Sequence, residues 1–268
     1  MEATGGEIRD LFFCRPASLL RLPEGFDGYR IAQLSDIHIG SWQGRPEAVE
    51  KLVKLTNEQQ ADLIVFTGDL VNNAADEVEP YVEDLKKLHA PDGIFSVWGN
   101  HDYCEYNTNH SLSALRKNRR LLFQLQNEMG WHQLMNEHFT VSHGMASIEI
   151  IGVENAGQPP FTNRSNLKKA MKGVAKDAFK IVLTHDPHHW RREVQKTGVH
   201  LTLAGHIHAG QLKIGNFTPA HMAFKEWGGE YWLGRQLLYV SAGLGGSFPF
   251  RLGAWPEMTV ITLKRDLG

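Results

Sequence analysis

Five apolar runs in this chain stop on the same kind of residue, and this recurrence constrains the fold more than any other feature. The run 30–35 leads into Asp36-Ile37-His38, 63–67 into Gly68-Asp69, and 93–98 into Gly99-Asn100-His101-Asp102. The run 180–184 leads into His185-Asp186, and 199–204 into Gly205-His206-Ile207-His208. Short β-branched segments with such endings read as buried strands. Sites in open α/β sheets form beyond the carboxyl ends of strands, where loops converge on a rigid edge. One polar ending is a turn; five describe a site.

Helical patterns fall between the runs. Residues 46–59 place Val49, Leu52, Val53 and Leu55 at helical spacing behind Pro46, whose missing N–H is harmless at a helix start. The segments 79–88, 111–129, 166–175 and 187–196 are predicted helices, and 147–153, 236–241 and 257–263 predicted strands. Alternation over the first hundred residues implies βαβ units and an α/β domain, with a mixed sheet in the strand-rich tail. At 268 residues and 42% hydrophobic content the chain can bury one large core. Without repeats or a long linker, it reads as a single domain, 1–268, whose first 27 residues form an N-terminal extension.

Asp36 and His38 are two apart, so extended backbone turns both to one face, and His206 and His208 repeat the arrangement. Asp69, Asn100 and His185 each arrive at a strand end. Nitrogen and oxygen donors without thiolate suit manganese, iron or zinc better than calcium or copper. Seven ligands exceed one ion's need and fit two ions that share a carboxylate. Any one of these residues alone reads better as a strand-end cap.

The order DIH, GD, GNHD, H, GHIH resembles the calcineurin-like metallophosphoesterase superfamily, whose elements are D-x-H, G-D, G-N-H-D/E, H and G-H-x-H. All five stand in order between Asp36 and His208. The stretches GHIHAGQ and GLGGSFPFRLGAWPE further resemble a bacterial branch whose members often carry an N-terminal membrane anchor. That branch lies near enzymes that cleave phosphodiester or pyrophosphate bonds, including those of lipid-linked sugar nucleotides. The resemblance implies an α/β (α+β-like) fold, a two-sheet mixed β-sandwich flanked by helices in four layers. It makes Asp36, His38 and His208 ligands of one divalent ion and Asn100, His185 and His206 of the other, with Asp69 bridging. It places His101 near the leaving group and implies in-line attack by a hydroxide bridging the two ions, manganese first, with iron or zinc as alternatives. Asp102 is expected to orient the His101 loop, so that both belong to the catalytic group.

Other residues carry weaker signals. Arg251, beyond the glycine-rich turn, is a candidate for a substrate phosphate, and Asn155 is placed near the site by the resemblance. His188 and His189 are expected to begin a helix, and the basic run 116–120 to be a solvated helix face. Cys104 reads as a small buried residue. The stretch 217–233, with Trp227 and Trp232, could pack back as a satellite core or form an apolar rim for a lipid-bearing phosphoester.

Composition then excludes other classes. A formal charge of −2 draws the protein to neither nucleic acid nor anionic membrane, and no aromatic and basic track favours a nuclease. Two cysteines make no disulfide framework or thiolate zinc site. No run reaches the ~20 apolar residues of a membrane span, and the N-terminus lacks a secretory pattern. The expectation is therefore a soluble chain, cytoplasmic or membrane-associated through a peripheral contact or a removed anchor, with its oligomeric state open. The expected partner is a phosphoester substrate. A phosphomonoesterase, a nuclease or a non-catalytic scaffold of the same fold are the alternatives.

Overall fold

Along the strand runs, alternate residues serve two different cores. The structure, a computed structural model, describes residues 7–14 (backbone), 22–106, 111–158, 162–214, 217–246 and 250–265. Ser247, Phe248 and Pro249 of the glycine-rich stretch lie outside the described residues.

The first half of the chain builds one sheet from β1 (Glu7–Cys14), β2 (Arg30–Leu34), β3 (Leu63–Phe66), β4 (Ile94–Ser96) and β5 (Trp131–Gln133), with helices α1 (Pro46–Glu58), α2 (Val82–Leu85) and α3 (Leu112–Glu128) between them. The second half builds another from β6 (Glu137–His143), β7 (Ala146–Gly152), β8 (Phe179–Leu183), β9 (Leu201–Ala204), β10 (Gly229–Leu233) and β11 (Gln236–Val240). The short helices α4 (Leu167–Ala170), α5 (His188–Arg192) and α6 (Ala220–Ala223) accompany this half. The last strand, β12 (Glu257–Lys264), returns to the first sheet, antiparallel to β2 and parallel to β1. The two six-stranded sheets run β1-β12-β2-β3-β4-β5 and β10-β11-β9-β8-β7-β6.

Period-two alternation sorts the side chains into layers. Ile31, Leu63, Val65 and Phe95 of the first sheet share one cluster with Ile150, Ile181, Leu183, Leu203 and Tyr239 of the second. That cluster is the centre of a sandwich. The intervening residues Ala32, Leu34, Ile64 and Phe66 face the opposite way, onto Val49, Leu52 and Val53 of α1 and Leu122 and Leu125 of α3. On the second sheet Ile151, Val182, Leu238 and Val240 face Trp190 and Leu167. The result is the four-layer α/β architecture. Both sheet faces are covered, which is why the parallel strands read as unbroken apolar runs.

The β2, β3 and β4 strands are mutually parallel, as are β7, β8, β9 and β11. Their carboxyl ends meet: the Gln33 side chain donates to Ala204 O at 2.9 Å, and Leu244 N to Ser35 O at 3.0 Å. The loops that leave those ends therefore converge from both sheets.

Candidate metal centre

Asp36 and His38 follow β2, Asp69 follows β3, Asn100 and His101 follow β4, His185 follows β8, and His206 and His208 follow β9. These loops pack so closely that two glycines are sterically required. A Cβ at Gly205 would lie 2.0 Å from Ser35 Oγ and 2.3 Å from Asp36 Oδ2; one at Gly99 would lie 2.2 Å from Asp69 Oδ1. Asp36, His38, Asp69, His206 and His208 have φ of 52°, 47°, 60°, 76° and 53°, the left-handed region, which aspartate, asparagine and histidine enter more readily than other residues besides glycine.

One group gathers Asp36, His38 and His208; a second gathers Asp69, His185 and His206; a third links His38, Asp69 and His101. Asp69 Oδ2 stands 3.1 Å from His185 Nε2 and 3.6 Å from His38 Nε2, so a single oxygen joins the groups. His208 Nε2 is 3.5 Å from Asp36 Oδ1. Around His185 Nε2, Asn100 Oδ1 lies at 3.0 Å and His206 Nδ1 at 3.1 Å. Three electron-rich atoms thus converge on one ring nitrogen, which one N–H cannot satisfy and a cation would. His38 is wholly buried, and neither of its ring nitrogens has a hydrogen-bond partner. An orphaned buried imidazole is costly unless something binds it.

Surrounding groups fix the orientations. His185 Nδ1 lies 2.8 Å from Thr67 O, so its N–H is spent there and Nε2 faces the group. Asn100 Nδ2 donates to Tyr106 Oη at 2.7 Å, which turns Oδ1 toward His185. Asp36 accepts from Ser35 Oγ at 2.5 Å and from His206 N at 3.1 Å. The Asp102 carboxylate, fully buried, accepts from Asp69 N and Leu70 N at 2.8 Å, Gly99 N at 2.9 Å and Val71 N at 3.3 Å. It clamps the Asp69 loop to the Asn100 loop and touches none of the grouped atoms. His101 gives its backbone N–H to Asp69 Oδ1 at 2.9 Å, and its Nδ1 lies 2.6 Å from Asn72 O. Its ring stacks on Tyr106 at 4.1 Å and meets His38 edge-on at 4.7 Å.

Electrostatics leaves most donors in their ligating form. Burial pushes His38 down to about 4 and His208 to about 3, and lowers His206 as well, so all three are neutral near pH 7. Burial alone would raise Asp36 and Asp69, but the neighbouring histidines outweigh it and hold both carboxyls below their usual range. His185 is the exception: burial opposes its charge, yet Asp69 draws it up to about 10. Without a cation, one proton sits where a metal would neutralise Asp69.

Arg251 is placed differently from a phosphate-reaching side chain. Its Nε donates to Gly245 O and its Nη1 to Ala254 O, both at 3.1 Å, while Nη2 bonds Gly245 O and approaches His208 Nδ1 at 3.3 Å. The guanidinium holds the glycine-rich loop against the back of His208. Trp227 is half-buried and packs on the outer core of the second sheet, with Lys213 above its ring at 5.7 Å. His188 and His189 open α5, and Cys104 is buried with its thiol pushed up to about 12 by burial. Arg116, Lys117 and Arg120 are exposed on α3, whereas Arg119 folds back to Tyr103 O and Glu105.

Sequence reasoning missed Ser35, Tyr106 and the carbonyls of Thr67 and Asn72. Ser35 borders a strand-end aspartate, which is a usable signal. Backbone carbonyls and a lone tyrosine leave none.

Residues 29–210 match the family described as calcineurin-like phosphoesterase. The chain belongs to this family. Among curated proteins of the family it is similar to the uncharacterized metallophosphoesterase YkuE of Bacillus subtilis, 32% identical over 91% of this chain and 82% of that one. It is also similar to a transmembrane protein with metallophosphoesterase domain from Danio rerio, 29% identical over 91% of this chain. This chain spans only 55% of that relative's length. Among solved structures, a dimetal phosphatase of Danio rerio shares the fold at a TM-score of 0.53 and 13% identity, over 83% of this chain and 90% of that one. Family membership makes the protein a metal-dependent phosphoester hydrolase with a divalent dimetal centre.

Proposed function

We propose that the protein hydrolyses a phosphodiester or pyrophosphate with two divalent cations, manganese foremost. One observation carries the reading: the single Asp69 oxygen that stands between the His185 and His38 donor groups. Asp36, His38 and His208 would hold one cation and Asn100, His185 and His206 the other, with Asp69 common to both. When bound, the pair would supply a hydroxide nucleophile near neutral pH and positive charge for the phosphoryl oxygens.

The chain's own residues do the rest. Asp102 fixes the distance between the Asp69 and Asn100 loops through four backbone N–H groups. His101 holds one proton at Nδ1 against Asn72 O, which leaves Nε2 as the exchangeable position. When protonated, Nε2 donates to the departing oxygen, a step typically worth about 10²–10⁴ in rate.

The test is chelation followed by reconstitution. Activity on bis-p-nitrophenyl phosphate is lost on chelation and returns best with manganese, at about two metals per chain by elemental analysis. Full activity in the metal-free sample overturns the reading. Faster turnover of p-nitrophenyl phosphate moves it to a phosphomonoesterase, and faster cleavage of single-stranded DNA to a nuclease.

A lipid-bearing substrate is a narrower version of the same reading. It is favoured by exposed Phe217, Met222, Trp232 and Leu233, which are 61%, 88%, 39% and 48% accessible, and by the transmembrane relative. No helix among the described residues is long and apolar enough to cross a membrane.

A further inference from the structure

We infer that Glu77 is a positioning residue for the proton donor: it sets the place of the Asn72 carbonyl and, through it, of the His101 ring. The inference rests on the hydrolase reading, in which His101 protonates the leaving oxygen, and adds a residue which that reading leaves out.

A carbonyl has no side chain to aim it, so the turn that carries it must be held. Every backbone N–H from Asp69 to Ala74 is held by a carboxylate. Asp102 takes the first three, from Asp69, Leu70 and Val71. Glu77 takes the next three: Asn72 N at 2.6 Å on Oε2, and Asn73 N and Ala74 N at 2.9 and 3.2 Å on Oε1. Successive N–H groups turned into one concavity favour an anion, and such charge-assisted bonds are stronger than neutral ones. The two acids thus divide one loop between them. Asp102 secures the end that carries the Asp69 donor, and Glu77 the end that carries Asn72 O.

His101 is gripped by both ends of that loop. Its backbone N–H goes to Asp69 Oδ1 at 2.9 Å, and its Nδ1 lies 2.6 Å from Asn72 O. A carbonyl only accepts, so Nδ1 carries a hydrogen there and the proton to be given away sits on Nε2. The leaving oxygen departs with the P–O bonding pair and takes that proton. Displacing Asn72 O by about an ångström would swing the ring and carry Nε2 off its line to the leaving oxygen.

Glu77 serves this end of the loop without touching the other. It belongs to none of the donor groups around Asp36 and Asp69. A Cβ at Gly40 would lie 2.6 Å from Glu77 Oε2 and 2.8 Å from Asn72 Oδ1, so the segment after His38 closes over both. Asn72 Oδ1 accepts from Ser41 N at 3.1 Å, and its Nδ2 donates to Ser41 Oγ at 2.9 Å. The Ser41 bonds hold the Asn72 side chain; the Glu77 bond holds its backbone.

Two diesters separate positioning from general damage in the manganese-loaded protein. Bis-p-nitrophenyl phosphate releases a weakly basic phenolate that departs without a proton, whereas diphenyl phosphate releases a more basic one that gains from it. Glu77→Ala should lower kcat by about tenfold or more on diphenyl phosphate and about threefold or less on bis-p-nitrophenyl phosphate, with KM and metal content kept. Glu77→Gln keeps an oxygen for Asn73 and Ala74 but withdraws the one that faces Asn72. It should show the same selective loss with a melting temperature near the parent's. His101→Ala should show the selective loss by itself, and adding Glu77→Ala to it should cost nothing more. If monoesters are the better substrates, p-nitrophenyl and phenyl phosphate carry the same comparison. No loss, equal loss on both esters, loss of manganese by elemental analysis, or a further loss in the His101→Ala background would each overturn the inference. So would equal loss on both esters in His101→Ala, which removes the donor Glu77 would serve and leaves the hydrolase reading standing. No turnover of any phosphoester by the loaded protein overturns that reading and the inference together.

Discussion

Asp69 and His101 lie side by side, yet their replacements should fail differently. Asp69→Ala removes the oxygen that joins the His185 and His38 groups and should lose both metal content and turnover. His101→Ala should keep its metal while turnover falls by about 10² or more. Equal metal loss in both, by elemental analysis, would make His101 a ligand, a role its place in a group with His38 and Asp69 leaves available. Asp102→Ala strands four buried N–H groups and should destabilise the fold by about 3 kcal/mol or more in urea unfolding. A near-neutral change would show that water replaces the carboxylate. At this scale the strand-end residues were legible because each ends an apolar run. Asp102 was expected to orient the loop, but its partners were not legible, since they are backbone N–H groups that carry no side-chain signature.

Elements divide along the same line. The central strands β2, β3, β8 and β9 are flanked on both sides and covered on both faces, so their apolar runs announced them. The edge strands β6 and β10 pair on one side only and are largely exposed, so His138, Ser142, Glu230 and Gly229 diluted any pattern. The predicted helix at 166–175 shrinks to Leu167–Ala170, because after one turn the chain meets Gly173 at φ 96°. Residues 217–233 divide between the two expectations for them. Phe224, Trp227 and Tyr231 pack on the outer core, while Phe217, Met222, Trp232 and Leu233 stay exposed. Phe217→Ser with Leu233→Ser should weaken liposome binding and leave the melting temperature within about 2 °C. Trp227→Ala should instead lower stability by about 2–3 kcal/mol. Unchanged liposome binding in the double variant would end the lipid proposal.

For the whole molecule, the buried histidines make stability depend on acidity. His38, His189 and His208 have folded values of about 4, 4 and 3, each depressed first by burial, against about 6.5 when unfolded. Between pH 6.5 and 4 the unfolded chain therefore binds more protons, and stability falls as pH falls. His185 and Asp102 have the opposite sign: against its burial, Asp69 draws His185 up to about 10, and burial with the Asp69 charge pushes Asp102 up to about 7. Their contributions are complete below about 6.5 and 4 and fade as pH rises through the folded values. The depressed histidines outnumber them, and chelated protein should be less stable at pH 5 than at pH 7. Flat urea midpoints over that range would show that these rings are solvated.

The left-handed backbone at Asp36, His38, Asp69, His206 and His208 sets stability against activity. Glycine takes that conformation more easily than any residue with a side chain, so mutation toward glycine there relaxes the backbone while removing the donor. A backbone relaxed in this way works against turnover, because activity depends on the donors that glycine would remove. His206→Gly measures the opposition: in metal-free buffer it should melt higher than its parent, and adding manganese should reverse the order.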